Sequence, residues 1–120
     1  MCMLKMYSYK GCDACRKAVK HLDSLGVAFE NLPIRETPPR KDELRKMLDY
    51  YEGNLRRLFN VSGVDYRQLG LKDSLPNMSV DEAIELLASN GNLVKRPFVL
   101  GTASGVVGFK PEEWTERLAL

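Results

Sequence analysis

Residues 3–32 read MLKMYSYKGCDACRKAVKHLDSLGVAFENL, and their pattern decides the fold. Residues 3–9 mix apolar and β-prone side chains around one lysine and predict a strand. Lys10-Gly11 breaks it. From Cys12 the period changes: Ala14, Ala18, Val19, Leu22 and Leu25 fall largely on one helical face, and Gly26 supplies a stop. Val27 to Leu32 predicts a second strand, closed by Pro33. A strand, a helix and a strand in so short a stretch suit a right-handed parallel crossover.

The chain beyond it is helical in the middle and β-β-α at the end. Thr37-Pro38-Pro39 offers a helix entry, because proline is tolerated in a first turn. Leu44, Met47, Leu48 and Tyr51 follow at i, i+3, i+4 and i+7, and Gly53 stops that helix. Leu55, Leu58 and Phe59 predict a short helical turn. Residues 60–77 read as irregular, with Gly63, Gly70 and Pro76. Ser79 and Glu82 have the spacing of a capping box, and Gly91 ends the helix that they open. Residues 97–100 and 106–109 flank the loop Gly101–Gly105 as a hairpin. Pro111 then opens a last helix carrying Trp114 and Leu118. Four strands with helices packed on them make an α/β or α+β domain spanning residues 1–120. The helical insertion covers about 37–91.

Composition sets the outer bounds. The 120 residues suit one domain, and 44% apolar residues are enough for a core. Eighteen basic against sixteen acidic residues leave +2, too even to argue for nucleic acid or an anionic membrane. No apolar stretch is long enough to span a bilayer. Met1 to Tyr9 is too short for a secretory leader and is interrupted by Lys5. The expected location is therefore the cytosol, and nothing calls for an oligomer.

Three cysteines cannot make a closed disulfide framework. Two of them form Cys12-Asp13-Ala14-Cys15, at the end of the first strand and the start of the first helix. In the cytosol such a pair is redox-active or metal-binding rather than a permanent staple. A thiol attacks as its thiolate, which the unpaired N–H groups and partial positive charge of a helix start favour. Lys10, Arg16 and Lys17 add positive charge, and Asp13 opposes it. Cys12 at the N-cap is the expected nucleophile. Cys15, one turn further in, is more shielded and is the expected resolving thiol. A zinc site needs about four ligands, and the only other candidates are Cys2 and His21, each too far from the pair. The competing reading is a pair of inert buried thiols. Cys2 is expected to have no role and His21 to lie on the helix surface.

The residues also resemble a family. Tyr9-Lys10-Gly11-Cys12-Asp13-Ala14-Cys15-Arg16-Lys17-Ala18, Pro38-Pro39, Leu58-Phe59-Asn60, Tyr66-Arg67-Gln68-Leu69-Gly70-Leu71, Leu93-Val94-Lys95-Arg96-Pro97 and Val107-Gly108-Phe109 are similar, in order and spacing, to the ArsC-like branch of the thioredoxin superfamily. That branch includes glutaredoxin-coupled arsenate reductases, Spx-type transcriptional regulators and YffB-type proteins. The resemblance implies a thioredoxin-like fold with a mixed four-stranded sheet, the helical insertion lying between the second and third strands. It implies a cis bond before Pro97, with Arg96 facing Cys12. It further implies an arsenate reductase-like thiol–disulfide oxidoreductase with no bound cofactor, drawing electrons from glutathione, glutaredoxin or thioredoxin. The Spx-type alternative is a redox sensor that binds the RNA polymerase α-subunit.

The match also shows departures. The arsenate reductases carry Ser where this chain has Cys15. Of the arginines that hold their oxyanion, Arg96 matches one. The second falls near Leu58, where this chain offers only Arg57, and the third falls at Lys110, which keeps the charge but not the planar fork. Lys10, Arg16, Arg57, Pro97 and Lys110 are thus the expected substrate contacts.

Overall fold

A computed structural model of the chain describes residues 4–120. Cys2 lies outside the described residues. Strand β1 (Leu4–Ser8) leads into helix α1 (Asp13–Leu25) and strand β2 (Phe29–Pro33). Helix α2 (Lys41–Tyr50), a 3-10 turn (Leu55–Leu58), and the short helices α3 (Val64–Gln68) and α4 (Leu71–Ser74) follow. Helix α5 (Val80–Ser89), strands β3 (Phe98–Leu100) and β4 (Gly105–Val107), and helix α6 (Pro111–Leu118) complete the order. The sheet runs β2-β1-β3-β4, with β1 parallel to β2 and both other pairings antiparallel. This is the mixed four-stranded sheet that the resemblance implied.

Alternation along the strands explains how one sheet buries two faces. Leu4, Met6, Val99 and Val106 point to one side, where Ala18 and Leu22 of α1 and Trp114 of α6 cover them. Tyr7, Phe98, Leu100 and Val107 point to the other, under Leu44, Met47, Leu48, Ile84 and Leu87 of the helical block. Each such side chain, fully buried, contributes roughly 1.5–3 kcal/mol before the entropy of ordering it is counted.

The helix ends follow local chemistry. Gly26 closes α1 at φ +68, a conformation that costs glycine little, and its N–H turns back to the Asp23 and Leu22 carbonyls. The Ser79 hydroxyl accepts the Glu82 N–H at 3.1 Å, while the Glu82 carboxylate accepts the Ser79 N–H at 3.2 Å, so the capping box forms as expected.

Several boundaries differ from the sequence reading. The second strand begins at Phe29 rather than Val27 and takes in Pro33, which an edge strand tolerates. Pro38 and Pro39 precede α2 rather than opening it, because Arg40 is the N-cap. Residues 60–77 are not irregular. They hold α3, α4 and a 3-10 turn (Leu75–Asn77), each too short to display a period. The hairpin pairs Leu100 with Gly105, so Gly105 belongs to the strand and not to the loop. His21 is half-buried rather than a surface residue: its ring lies edge-on to Phe109 and Trp114, at 5.4 and 6.2 Å between centroids.

Candidate active site

The start of α1 presents the two thiols differently. Cys12 is the N-cap, with extended backbone, and it is half-buried. Its N–H is donated to the Tyr9 carbonyl at 3.0 Å, and its own carbonyl accepts the Arg16 N–H at 3.0 Å. Cys15 is 2% exposed and lies one turn inward, where its sulfur accepts the Tyr9 N–H at 3.5 Å. Both thiols are free.

The segment before β3 faces this helix end. The Arg96–Pro97 peptide is cis, as the resemblance implied. Backbone bonds pin the segment on both sides. Lys95 N–H reaches the Leu58 carbonyl at 2.8 Å, and Gly108 N–H reaches the Pro97 carbonyl at 2.9 Å. Arg96 thereby stands beside Cys12.

Electrostatics separate the thiols in opposite directions. Burial alone would raise the Cys12 thiol, but the Cys15 N–H and thiol and the Arg96 guanidinium outweigh it, and Cys12 lies below the ordinary thiol range. The Cys12 side chain makes no full capping hydrogen bond, so these groups act jointly rather than through one short contact. Burial is also the main influence on Cys15, and there the neighbouring Cys12 sulfur adds to it. Together they exceed the Tyr9 N–H and push the Cys15 thiol up to about 12. The two sulfurs, one helical turn apart, thus differ in how readily they give up a proton.

A cleft of about 370 Å³ opens here, lined by Ala14, Arg57, Lys95, Arg96 and Lys110 among others. Two of the expected substrate contacts, Arg57 and Lys110, therefore share one cleft with Arg96. Arg57 is already engaged there. It pairs with Glu113 at 3.4 Å and lies over the Tyr51 ring at 4.6 Å. Lys10 lines a different hollow, with Tyr9, Asn31 and Glu36. Arg16 pairs with Asp13 and donates to the Lys10 carbonyl at 2.9 Å, so it braces the loop before Cys12. Pro97 is buried behind Arg96.

Three charged cleft residues, Arg56, Lys95 and Glu113, have no role in the sequence analysis. Lys95 neighbours Arg96 in the chain, and that adjacency was the available signal. Glu113 lies on α6 and gave none. Among the described residues, no group of three or more His, Cys, Asp or Glu side chains is placed to hold a metal. Among them also, no helix is long and apolar enough to cross a membrane.

The model of the ArsC family matches residues 7–117. The chain belongs to the ArsC family. Bacillus subtilis YusI, an uncharacterized protein, is 42% identical to this ArsC-family chain over 97% of it and 98% of YusI. The global transcriptional regulator Spx of Streptococcus mutans is 28% identical over 92% of this chain and 80% of its own. The crystal structure of a possible arsenate reductase from Streptococcus mutans UA159 superimposes with a TM-score of 0.86. It is 39% identical and covers 94% of this chain and 98% of its own. The fold is thus thioredoxin-like in its ArsC form, and the chain is arsenate reductase-like or Spx-like.

Proposed function

We propose that this ArsC-family chain is a thiol–disulfide oxidoreductase of arsenate reductase type, with Cys12 as nucleophile, Cys15 as resolving thiol and Arg96 stabilising the thiolate. The observation that supports this reading is the opposite displacement of two thiols one helical turn apart, Cys12 downward beside Arg96 and Cys15 up to about 12. The Cys12 thiolate attacks one sulfur of a substrate disulfide, forming a mixed disulfide and releasing the other sulfur as a thiolate, which takes a proton. Cys15 then gives up its proton and attacks the Cys12 sulfur. The Cys12–Cys15 disulfide forms and the second substrate thiol leaves. Two electrons and two protons from glutathione, glutaredoxin or thioredoxin restore the dithiol, and no cofactor stays bound.

In this reading Arg96, Arg57 and Lys110 draw the anionic part of a substrate into the cleft, Pro97 with its cis bond sets the turn that carries Arg96, and Lys10 and Arg16 maintain positive charge around the loop. The protein acts in the cytosol as a monomer, without contacting nucleic acid or a membrane. Substitution separates the roles. Cys12→Ser is expected to abolish reduction of a disulfide substrate, and Cys15→Ser to accumulate a mixed disulfide visible by mass spectrometry. Retained turnover in the Cys12 variant would sink the mechanism.

The likeness to Spx supports a second reading, a redox-sensing regulator that binds the RNA polymerase α-subunit. Turnover tells them apart. Reduction of arsenate or disulfides with glutathione and glutaredoxin, or with thioredoxin, favours the enzyme. Capture of RNA polymerase without turnover favours the regulator.

A further inference from the structure

Tyr9 touches both thiol residues and Arg96. Its backbone binds both thiol residues, accepting the Cys12 N–H and donating to the Cys15 sulfur. Two guanidinium groups lie over its ring, Arg96 at 5.1 Å and Arg35 at 4.9 Å from the ring centroid. Arg96 has no carboxylate partner among the described residues, so this ring is the contact that fixes its charged end. A free arginine side chain samples many rotamers, and a guanidinium is held well by the electron-rich face of an aromatic ring.

The loop is built to let the ring lie there. A Cβ on Gly11 would stand 2.6 Å from Cε2 and 2.9 Å from Cζ of Tyr9, so any larger residue would displace the ring. The groups that bear on the Cys12 charge are few. Arg96 comes from the facing segment and Cys15 from the same helix. Lys10, Asp13 and Arg16 belong to the adjoining loop and first turn, where Asp13 and Arg16 neutralise each other.

We propose that Tyr9 is a positioning residue, whose ring holds the Arg96 guanidinium beside Cys12, with Arg35 packed on the same ring and Gly11 leaving it room. The proposal rests on Cys12 being the nucleophile. It adds that the activating charge is held in place by an aromatic ring, and that losing the ring frees the guanidinium without touching either thiol.

The test is the pH profile of Cys12 alkylation by iodoacetamide, followed site by site by mass spectrometry on the whole chain. Tyr9→Leu is expected to slow Cys12 alkylation at pH 6.5 roughly three- to tenfold, the scale of one lost cation–π contact. The plateau at high pH should not change. Tyr9→Phe keeps the aromatic ring and is expected to match the unsubstituted chain. In an Arg96→Gln background, Tyr9→Leu is expected to change the rate less than about twofold, because its effect passes through Arg96. Gly11→Ala crowds the ring while leaving Tyr9 in place, and it is expected to shift the profile in the same direction. This second variant carries the test if Tyr9→Leu does not fold.

A profile unmoved by both Tyr9→Leu and Gly11→Ala overturns the positioning role. So does an equal shift in the Arg96→Gln background. A Cys12 that titrates in the ordinary thiol range in the unsubstituted chain overturns instead the nucleophile reading on which the proposal rests.

Discussion

Tyr7 donates its hydroxyl hydrogen to Glu43 Oε1 at 2.6 Å, joining the central strand to the first helix of the insertion. Glu43 is 3% exposed. Its other oxygen meets Lys5 Nζ at 2.8 Å, and Oε1 also accepts the Arg40 N–H at 3.0 Å. A buried carboxylate is tolerated only when it is satisfied in this way.

Replacing that carboxylate has a predictable cost and pH signature. Burial alone would raise the Glu43 pKa, but Lys5, Tyr7 and the Arg40 N–H outweigh it and hold the carboxyl below its usual value. A depressed folded-state pKa adds stability above the unfolded value, and that stability is lost as pH falls through the folded value. Glu43→Gln is expected to lower stability at pH 7 by about 2 kcal/mol, the scale of a charge-assisted hydrogen bond. It should also flatten the fall in stability below about pH 4.5, the ordinary carboxyl value. Urea unfolding at pH 3.5, 5 and 7 checks both. An unchanged slope between these pH values would contradict the assignment.

The two thiols give a second pH signature, on the alkaline side. Cys15 keeps its proton in the fold up to about 12, whereas in the unfolded chain it ionises near the ordinary value of 9.0. Between those values the unfolded state has lost a proton that the native state retains, so stability falls as pH rises. Cys12 contributes the opposite sign over a lower window. Its depressed pKa adds stability that is present above the unfolded value and lost as pH falls through the folded one. Reduced protein is expected to lose stability steadily above pH 9, and Cys15→Ser to lose less. Thermal unfolding from pH 8 to 11 under reducing conditions measures the difference.

What the sequence made legible was whatever depends on near neighbours. The switch from strand to helix around Cys12, the Gly26 stop and the Ser79–Glu82 box each rest on chemistry within a few residues. The thiol pair was legible for the same reason. Arg96 and the cis peptide before Pro97 came from resemblance, since no local propensity distinguishes that proline. What escaped depends on partners distant in the chain. Arg57 reads as a free cation until Glu113 of α6 is beside it. His21 reads as a surface residue until Phe109 and Trp114 pack on it. Helices of five and four residues, α3 and α4, offer too few positions for any period to appear.

Gly91 illustrates the same limit and supports a third prediction. It reads as a helix stop, but its position is fixed by contact with a distant backbone. A Cβ there would stand 1.8 Å from the Ile34 carbonyl oxygen and 2.7 Å from its carbonyl carbon. Neither atom belongs to a side chain that can rotate away. Ile34 is itself held, its N–H bonding the Ser8 carbonyl at 2.9 Å. Gly91→Ala is therefore expected to cost about 3 kcal/mol, the upper range of overpacking. It should also loosen the segment that leads to Arg96. Gly101→Ala is the control, because its Cβ would meet Leu4 and Ser104 at an ordinary 3.5 Å, and its cost should stay below about 0.5 kcal/mol. Equal stability of the two variants, measured by urea unfolding, would refute the contact.

Trp114 supports the last prediction and supplies its own probe. It is the only tryptophan, it is fully buried, and its indole N–H is donated to the Gly108 carbonyl at 2.8 Å. Phe109 packs on it edge-on at 4.9 Å, so helix α6 is fastened to the turn after β4 by an aromatic contact and a hydrogen bond together. Trp114→Phe keeps much of the apolar contact but leaves the Gly108 carbonyl without this donor. It is expected to cost about 2 kcal/mol, from an unsatisfied buried acceptor plus a smaller ring. Trp114→Ala adds a large cavity and should cost about 4 kcal/mol. Lys110, which lines the same cleft as Arg96, sits between Gly108 and α6, so loosening this joint should also shift Lys110 in that cleft. Unfolding of the parent chain is read from tryptophan fluorescence and that of the variants from far-ultraviolet circular dichroism. If Trp114→Phe proves as stable as the parent, the indole hydrogen bond contributes nothing, and packing alone holds α6 on the sheet.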